Sequence, residues 1–200
     1  DLMATTSVLS NAANQRKVTV SVYKNNVLIL QGIGYAKIEP VKATHITVPL
    51  DIYPKPTLVL DMGNVTVQKD IPFEATVSAQ SVTNLATIGA KVQFDTTKLS
   101  VVDIVRVNDF LESNSGTALP LKFAKDNSKG KVDIQLAIFP ATAAVTGHGE
   151  ICKITFKPKT TGAAEISLST DSVADSNLGL YDKNAQFINS YAFGRKIVIN

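Results

Sequence analysis

Residues Gly89 to Val107 read Gly-Ala-Lys-Val-Gln-Phe-Asp-Thr-Thr-Lys-Leu-Ser-Val-Val-Asp-Ile-Val-Arg-Val. Ala90, Val92 and Phe94 alternate with Lys91, Gln93 and Asp95, and a two-residue period puts these sets on opposite faces of a β-strand. Asp95 then opens a turn, because its short carboxylate accepts hydrogen bonds from backbone N–H groups two residues on. Leu99 returns to the apolar side. A second strand follows with Val101, Val102, Ile104, Val105 and Val107. Strand, tight turn and strand in so short a span mark the edge of an all-β sandwich.

The pattern recurs outward from this strand–turn–strand unit. Strands are expected at Thr57–Leu60, Asn64–Gln68, Ile71–Ala79, Ile88–Asp95, Ser100–Val107, Ala118–Ala124, Lys131–Phe139, Gly149–Pro158, Ala164–Ser169 and Arg195–Ile199. Turn signals separate them, among them Met62-Gly63-Asn64, the run Asp126 to Gly130, and Thr160-Thr161-Gly162. No segment holds a helical period, although Asn108–Ser113 suits one short turn. Short strands at this spacing predict a β-sandwich or jelly roll rather than β-α-β units.

Upstream the pattern is thinner. Residues 1–15 are small and polar and read as a flexible lead-in, with a weak strand around Thr5–Leu9. Residues 16–53 read as a three-stranded β segment, with strands in Val18–Tyr23, Val27–Lys37 and His45–Leu50 and a turn at Lys24-Asn25-Asn26. Tyr53-Pro54-Lys55-Pro56 is stiff and poor in amide donors, as a linker is. The main domain is expected over 57–200.

Composition narrows the function classes. The chain has 200 residues, 44% hydrophobic and 18% charged, which suits a packed core and not a disordered segment. A net charge of +3 without a Lys/Arg cluster gives no nucleic-acid footprint. No charged and apolar leader segment is read at Asp1. No run of about 18 apolar residues occurs, so no membrane-spanning helix is expected. The one cysteine, Cys152, shares a strand face with Ile154 and Phe156 and reads as a small buried hydrophobe. His45 and His148 have no metal-ligating neighbour at short spacing. Nucleophile elbows, P-loops and dinucleotide fingerprints are absent, so no enzyme is expected.

Three blocks carry a family resemblance. One is Val82-Thr83-Asn84-Leu85 followed by Gly89 to Val102. Another is Gly149-Glu150-Ile151-Cys152-Lys153-Ile154-Thr155-Phe156-Lys157. The last is the order of remaining parts: Lys131 to Ala137, then Ile166–Leu168, an Asp-rich loop and a final Lys196-Ile197-Val198-Ile199. From Leu58 onward the chain resembles a cohesin module, the β-sandwich receptor domain of cellulosome scaffolds and related bacterial surface proteins. Phe94 and Thr96 stand where the family usually has Tyr and Pro. The resemblance implies a nine-stranded-type jelly-roll β-sandwich and a non-catalytic, extracellular or cell-surface module, bacterial or archaeal, that docks a dockerin-like protein. The same sandwich also resembles certain carbohydrate-binding modules, which would bind a polysaccharide. A structural stalk or surface-layer domain is a further alternative.

In that family the partner surface is one sheet face, here matched to Ile88–Asp95, Leu121–Ala124, Lys131–Ala137 and Gly149–Phe156. Alternation gives its outward residues as Lys91, Gln93, Lys122, Asp133, Gln135, Lys153 and Thr155. Against docking stands a plain solvated sheet face, since none of these is a Trp, Tyr or Arg anchor. Tyr181, Phe187, Tyr191 and Phe193 cluster late in the chain, where they suit either a core or a sugar platform. Asp171, Asp175 and Asp182, with Asn177 and Asn184, make an oxygen-rich stretch that is a calcium candidate. The same residue types also cap turns. No other cofactor is expected.

Overall fold

Val, Thr and Ile suit a pleated, half-buried surface, and strands dominate the protein. The structure is a computed structural model that describes residues 2–10, 15–24, 27–37, 51–52, 55–172 and 174–200. The chain divides into two compact units, Asp1–Pro54 and Lys55–Asn200.

In the first unit β1 (Leu2–Ser10), β2 (Gln15–Lys24), β3 (Val27–Lys37) and β4 (Asp51–Ile52) form an antiparallel sheet in that order. In the stretch read as a lead-in with a weak strand around Thr5–Leu9, residues 2–10 pair along β2, with Leu2 opposite Lys24 and Ser10 opposite Arg16. Small side chains hide such a strand from a hydrophobic-period search, while main-chain pairing does not need them. Lys24 stands opposite Val27. The turn residues Asn25 and Asn26 lie outside the described residues, as does the strand expected at His45–Leu50.

The second unit runs β5 (Thr57–Asp61), β6 (Thr66–Val67), β7 (Phe73–Phe94), β8 (Leu99–Arg106), β9 (Thr117–Asp126), β10 (Lys131–Phe139), β11 (Val145–Pro158), β12 (Gly162–Ser169), β13 (Gly179–Asp182), β14 (Phe187–Ile188), β15 (Tyr191–Phe193) and β16 (Arg195–Ile199). It is the β-sandwich expected from the sequence. The turn after Phe94 is also as read: the Asp95 carboxylate accepts from the Thr97 N–H at 2.8 Å and the Thr97 hydroxyl at 2.7 Å.

β7 organises the sandwich. Two strands, Ile71–Ala79 and Ile88–Asp95, were expected here; one strand of 22 residues stands in their place. Its buried apolar side chains are Ala75, Val77 and Ala79, then Val82, Leu85, Ala86, Ile88, Ala90, Val92 and Phe94. The inward set passes from odd numbers at Ala79 to Val82, back to Leu85, and to even numbers from Ile88 on. Three slips do this: two fall at the left-handed residues Ser81 (φ 54°) and Asn84 (φ 52°), and the third at Ala86, where the register against β13 shifts between Thr87 and Leu85, each inserting an extra position without ending the strand. β7 thus serves both layers. Its first half pairs with β11 and β5, and β8 extends β11; we term this the back sheet. Its second half pairs with β10, which carries β9, and on its other edge with β13 and β12; this is the front sheet.

The core lies between the layers. Phe156 of β11 is fully buried, stacked on Phe73 at 5.6 Å and edge-on to Phe94 at 5.6 Å. Burial of a side chain of this size contributes about 1.5–3 kcal/mol. β13, β14 and β15 were not read from the sequence; at 4, 2 and 3 residues they are too short to show a period. Among the described residues no helix is long and apolar enough to cross a membrane.

Candidate partner-docking face

The outward residues of the front sheet fall into rows set by strand register. One row crosses Ala124, Asp133, Lys91 and Ser169. The next crosses Lys122, Gln135, Gly89 and Gly179. A register shift in β9 then brings Leu119 opposite Ala137, and the row continues through Thr87 and Tyr181 to Phe187. Five of the seven residues expected on a docking face, Lys91, Gln93, Lys122, Asp133 and Gln135, therefore share this surface.

Lys153 and Thr155 do not, and this corrects the expected grouping. β11 pairs with the first half of β7, so Lys153 stands opposite Thr76 and Val105, and Thr155 opposite Glu74 and Asp103, all on the back sheet. β11 stays paired with β7 from Phe73 to Leu85, across the slips at Ser81 and Asn84, and does not reach the front-sheet half.

Much of the front face's charge is neutralised internally. Asp133 has only 9% of its side chain exposed, with Lys122 Nζ at 2.8 Å and Lys131 Nζ at 3.2 Å. Burial raises its carboxyl pKa, but the hydrogen bonds and charge of Lys122 and Lys131 outweigh this and hold it below the usual carboxylate value. Lys122 is raised in turn, first by its hydrogen bond to Asp133. Lys91 Nζ donates to Asp175 at 2.6 Å. That bond, with further ones from Asn177, holds Asp175 far below the usual range. Asp175 belongs to the loop after β12, which lies on the face at Gly89: a Cβ there would sit 2.3 Å from the Asn177 carbonyl oxygen.

The apolar part of the face was missed from the sequence. Leu119 is 44% exposed, Leu121 65%, Phe139 67% and Phe187 50%. Tyr181 meets Phe187 edge-on at 5.8 Å. The sequence reading found no aromatic anchor here because Tyr181 and Phe187 reach the face on the short strands β13 and β14. The available signal was the Gly179-Leu180-Tyr181 alternation, in which buried Leu180 lies between two outward positions.

The calcium candidates act as turn caps. Asp171 Oδ1 accepts from Ala174 N–H at 3.2 Å, and Asp182 Oδ1 from the N–H groups of Asn184 at 2.8 Å and Gln186 at 2.9 Å. Among the described residues no three His, Cys, Asp or Glu side chains are grouped to hold a metal ion. Cys152 is buried in β11, and burial pushes its thiol up to about 12, where a thiolate nucleophile does not form at neutral pH.

Comparison with known proteins matches this arrangement. The family model described as the cohesin domain matches residues 58–199. Among solved structures, the second type II cohesin module of the ScaA scaffoldin from Acetivibrio cellulolyticus is similar with a TM-score of 0.61 and 12% identity, over 73% of this chain and 98% of that one. A non-cellulosomal cohesin from the archaeon Archaeoglobus fulgidus is similar with a TM-score of 0.56 and 11% identity, over 73% and 91%. A type I cohesin–dockerin complex from Clostridium thermocellum is similar with a TM-score of 0.55 and 15% identity, over 72% and 99%. At these identities the likeness shows the fold. No curated protein matches the chain. The chain belongs to the cohesin domain family, whose members are non-catalytic protein-interaction modules.

Proposed function

We propose that this cohesin-family chain docks a dockerin-type protein domain through the outward face of its front sheet. The observation that carries the reading is the row Leu119, Ala137, Thr87, Tyr181 and Phe187, which continues across the five strands β9, β10, β7, β13 and β14. A rigid sheet can present such a row with little backbone motion on binding. Aromatic side chains at one end of the row, Tyr181 and Phe187, suit the anchor role that polar residues fill poorly. Beside the row, Lys122, Lys131, Asp133, Lys91 and Asp175 form a charged margin that sets orientation more than affinity. The solved cohesin–dockerin complex from Clostridium thermocellum supports the class of partner.

The family also supports an extracellular or cell-surface location, and we take the first unit as a separate spacer preceding the module. The test is calorimetric titration of the full chain with the dockerin modules encoded in its own genome. Saturable binding that falls at least about tenfold, or 1.4 kcal/mol, in Tyr181→Ala is expected. Binding that is equally strong in Tyr181→Ala and in a Leu119→Asp variant would remove the front row from the interface.

A further inference from the structure

A groove of about 350 Å³ opens beside the docking row, where the end of β12 and residues 170–172 face β14, β15 and the two residues between them. This volume lies within the range of small-molecule sites, about 300–1,000 Å³. Phe187 and Tyr191 supply its aromatic walls, 50% and 40% exposed. Tyr191 is held in place: its ring stacks nearly parallel to Phe193 at 6.3 Å, and Lys55 Nζ lies 5.3 Å from its centroid and donates to its hydroxyl at 3.3 Å. Asp171, Ser172 and Asn189 line the groove between these walls. Asp171 is fixed by the Ala174 N–H at 3.2 Å.

The lining selects a ligand class. It contains one carboxylate and no lysine, arginine or histidine, which excludes a phosphate or other anion. Its half-exposed aromatic rings and lack of a carboxylate cluster exclude a bare cation. What remains is a neutral ligand with an apolar face for the rings and hydroxyls for the amide, hydroxyl and carboxylate. A sugar ring has this combination. We propose that the groove is a saccharide-binding subsite, taking one or two residues of a neutral glycan. The proposal does not rest on the docking reading. It does place Phe187 at the boundary of both surfaces, so a glycan here would lie against a docked protein.

The test is amide-detected NMR titration of the full chain with cellobiose, xylobiose, maltose and N,N′-diacetylchitobiose. Saturable shifts are expected for at least one of these sugars, confined to residues 168–172 and 187–192. Phe187→Ala should weaken that binding about tenfold, the scale of one lost stacking contact. Asn189→Ala, at an exposed position that leaves the fold intact, should weaken it several-fold, and Lys153→Ala on the back sheet should not. The proposal is overturned if none of the sugars saturates these amides, if the shifts fall elsewhere, or if neither groove variant weakens binding. It is equally overturned if an unstructured neutral peptide shifts the same amides and the sugars do not.

Discussion

The two sheets of the sandwich carry similar outward chemistry in the sequence and organise it differently. On the back, Lys153 and Glu74 pair at 3.1 Å with side chains 39% and 52% exposed. Asp61, Glu74 and Glu150 line a shallow depression of about 290 Å³. On the front, Asp133 is nearly covered between two lysines, and an apolar row runs beside it. Paired charges in water gain little more by meeting a partner, whereas an exposed aromatic row gains by leaving water. The back also exposes Val102 and Val105 on β8, but the front is the face with aromatic surface left to bury. A lysine-rich strand pattern does not tell the two apart.

The largest effect should come from the residue that joins the two layers. Phe156→Ala removes the ring packed on Phe73 of the first half of β7 and Phe94 at its end. Loss of about 3–5 kcal/mol is expected in urea unfolding of the full chain. Both faces should be lost in one transition as monitored by amide dispersion. Independent melting of the front and back sheets would break the description of β7 as their common strand.

Binding should divide the faces next. Leu119→Asp puts a charge into the apolar row and should cost about 2 kcal/mol or more of dockerin affinity. Lys153→Ala and Thr155→Ala, on the back, should leave affinity unchanged in the same calorimetric titration. The reverse result would restore the grouping first drawn from the sequence.

That grouping shows where sequence reading stops. The Asp95 turn, the alternation of Ala90, Val92 and Phe94, and the strand Arg195–Ile199 were legible because each depends on residues close in the chain. So were Lys91, Gln93, Lys122, Asp133 and Gln135 as outward residues. Which part of β7 pairs with β11 was not legible, because the register there shifts at the left-handed residues Ser81 and Asn84, and neither is a glycine that would announce such a backbone. The aromatic row was missed for a different reason. Tyr181 and Phe187 lie in strands too short for a period, and their alignment with Thr87 depends on pairing across more than ninety residues of chain.

A smaller effect should separate two glycines. A Cβ at Gly89 would meet the Asn177 carbonyl oxygen at 2.3 Å and the Leu178 Cα at 3.0 Å, both backbone atoms that yield only if the loop lifts. Gly89→Ala should cost about 1–3 kcal/mol and raise amide exchange in residues 174–178. At Gly63, beside the back-sheet depression, a Cβ meets nothing within 4 Å, and Gly63→Ala should be close to neutral. Equal stability of the two variants would mean the loop does not rest on the front face.

The smallest expected difference is in acid. On the front, Asp133 and Asp175 both titrate below the usual carboxylate value: for Asp133 the lysine contacts exceed the opposing effect of burial, and for Asp175 the Lys91 bond leads. A carboxyl whose folded pKa lies below its unfolded one contributes stability above the unfolded value, about 4, and loses it as pH falls through the folded one. The Lys91–Asp175 pair should therefore hold throughout neutral and mildly acidic solution and let go only in strong acid, freeing the loop from Gly89, while the Asp133 pairs weaken below the usual carboxylate value. On the back, the raised pKa of Lys153, led by its hydrogen bond to Glu74, works in the other direction: that contribution is present below the ordinary lysine value and is lost in strong alkali. Lys122 adds the same alkaline limb to the front, so acid is the condition that separates the faces. Side-chain carboxylate NMR should show Asp133 and Asp175 titrating late on acidification, with amide exchange in residues 174–178 rising as Asp175 protonates. Asp175→Asn should show that faster exchange already at neutral pH. Titration of Asp175 at the ordinary carboxylate value would mean that Lys91 is not its partner in solution, and that the front face is as loosely charged as the back.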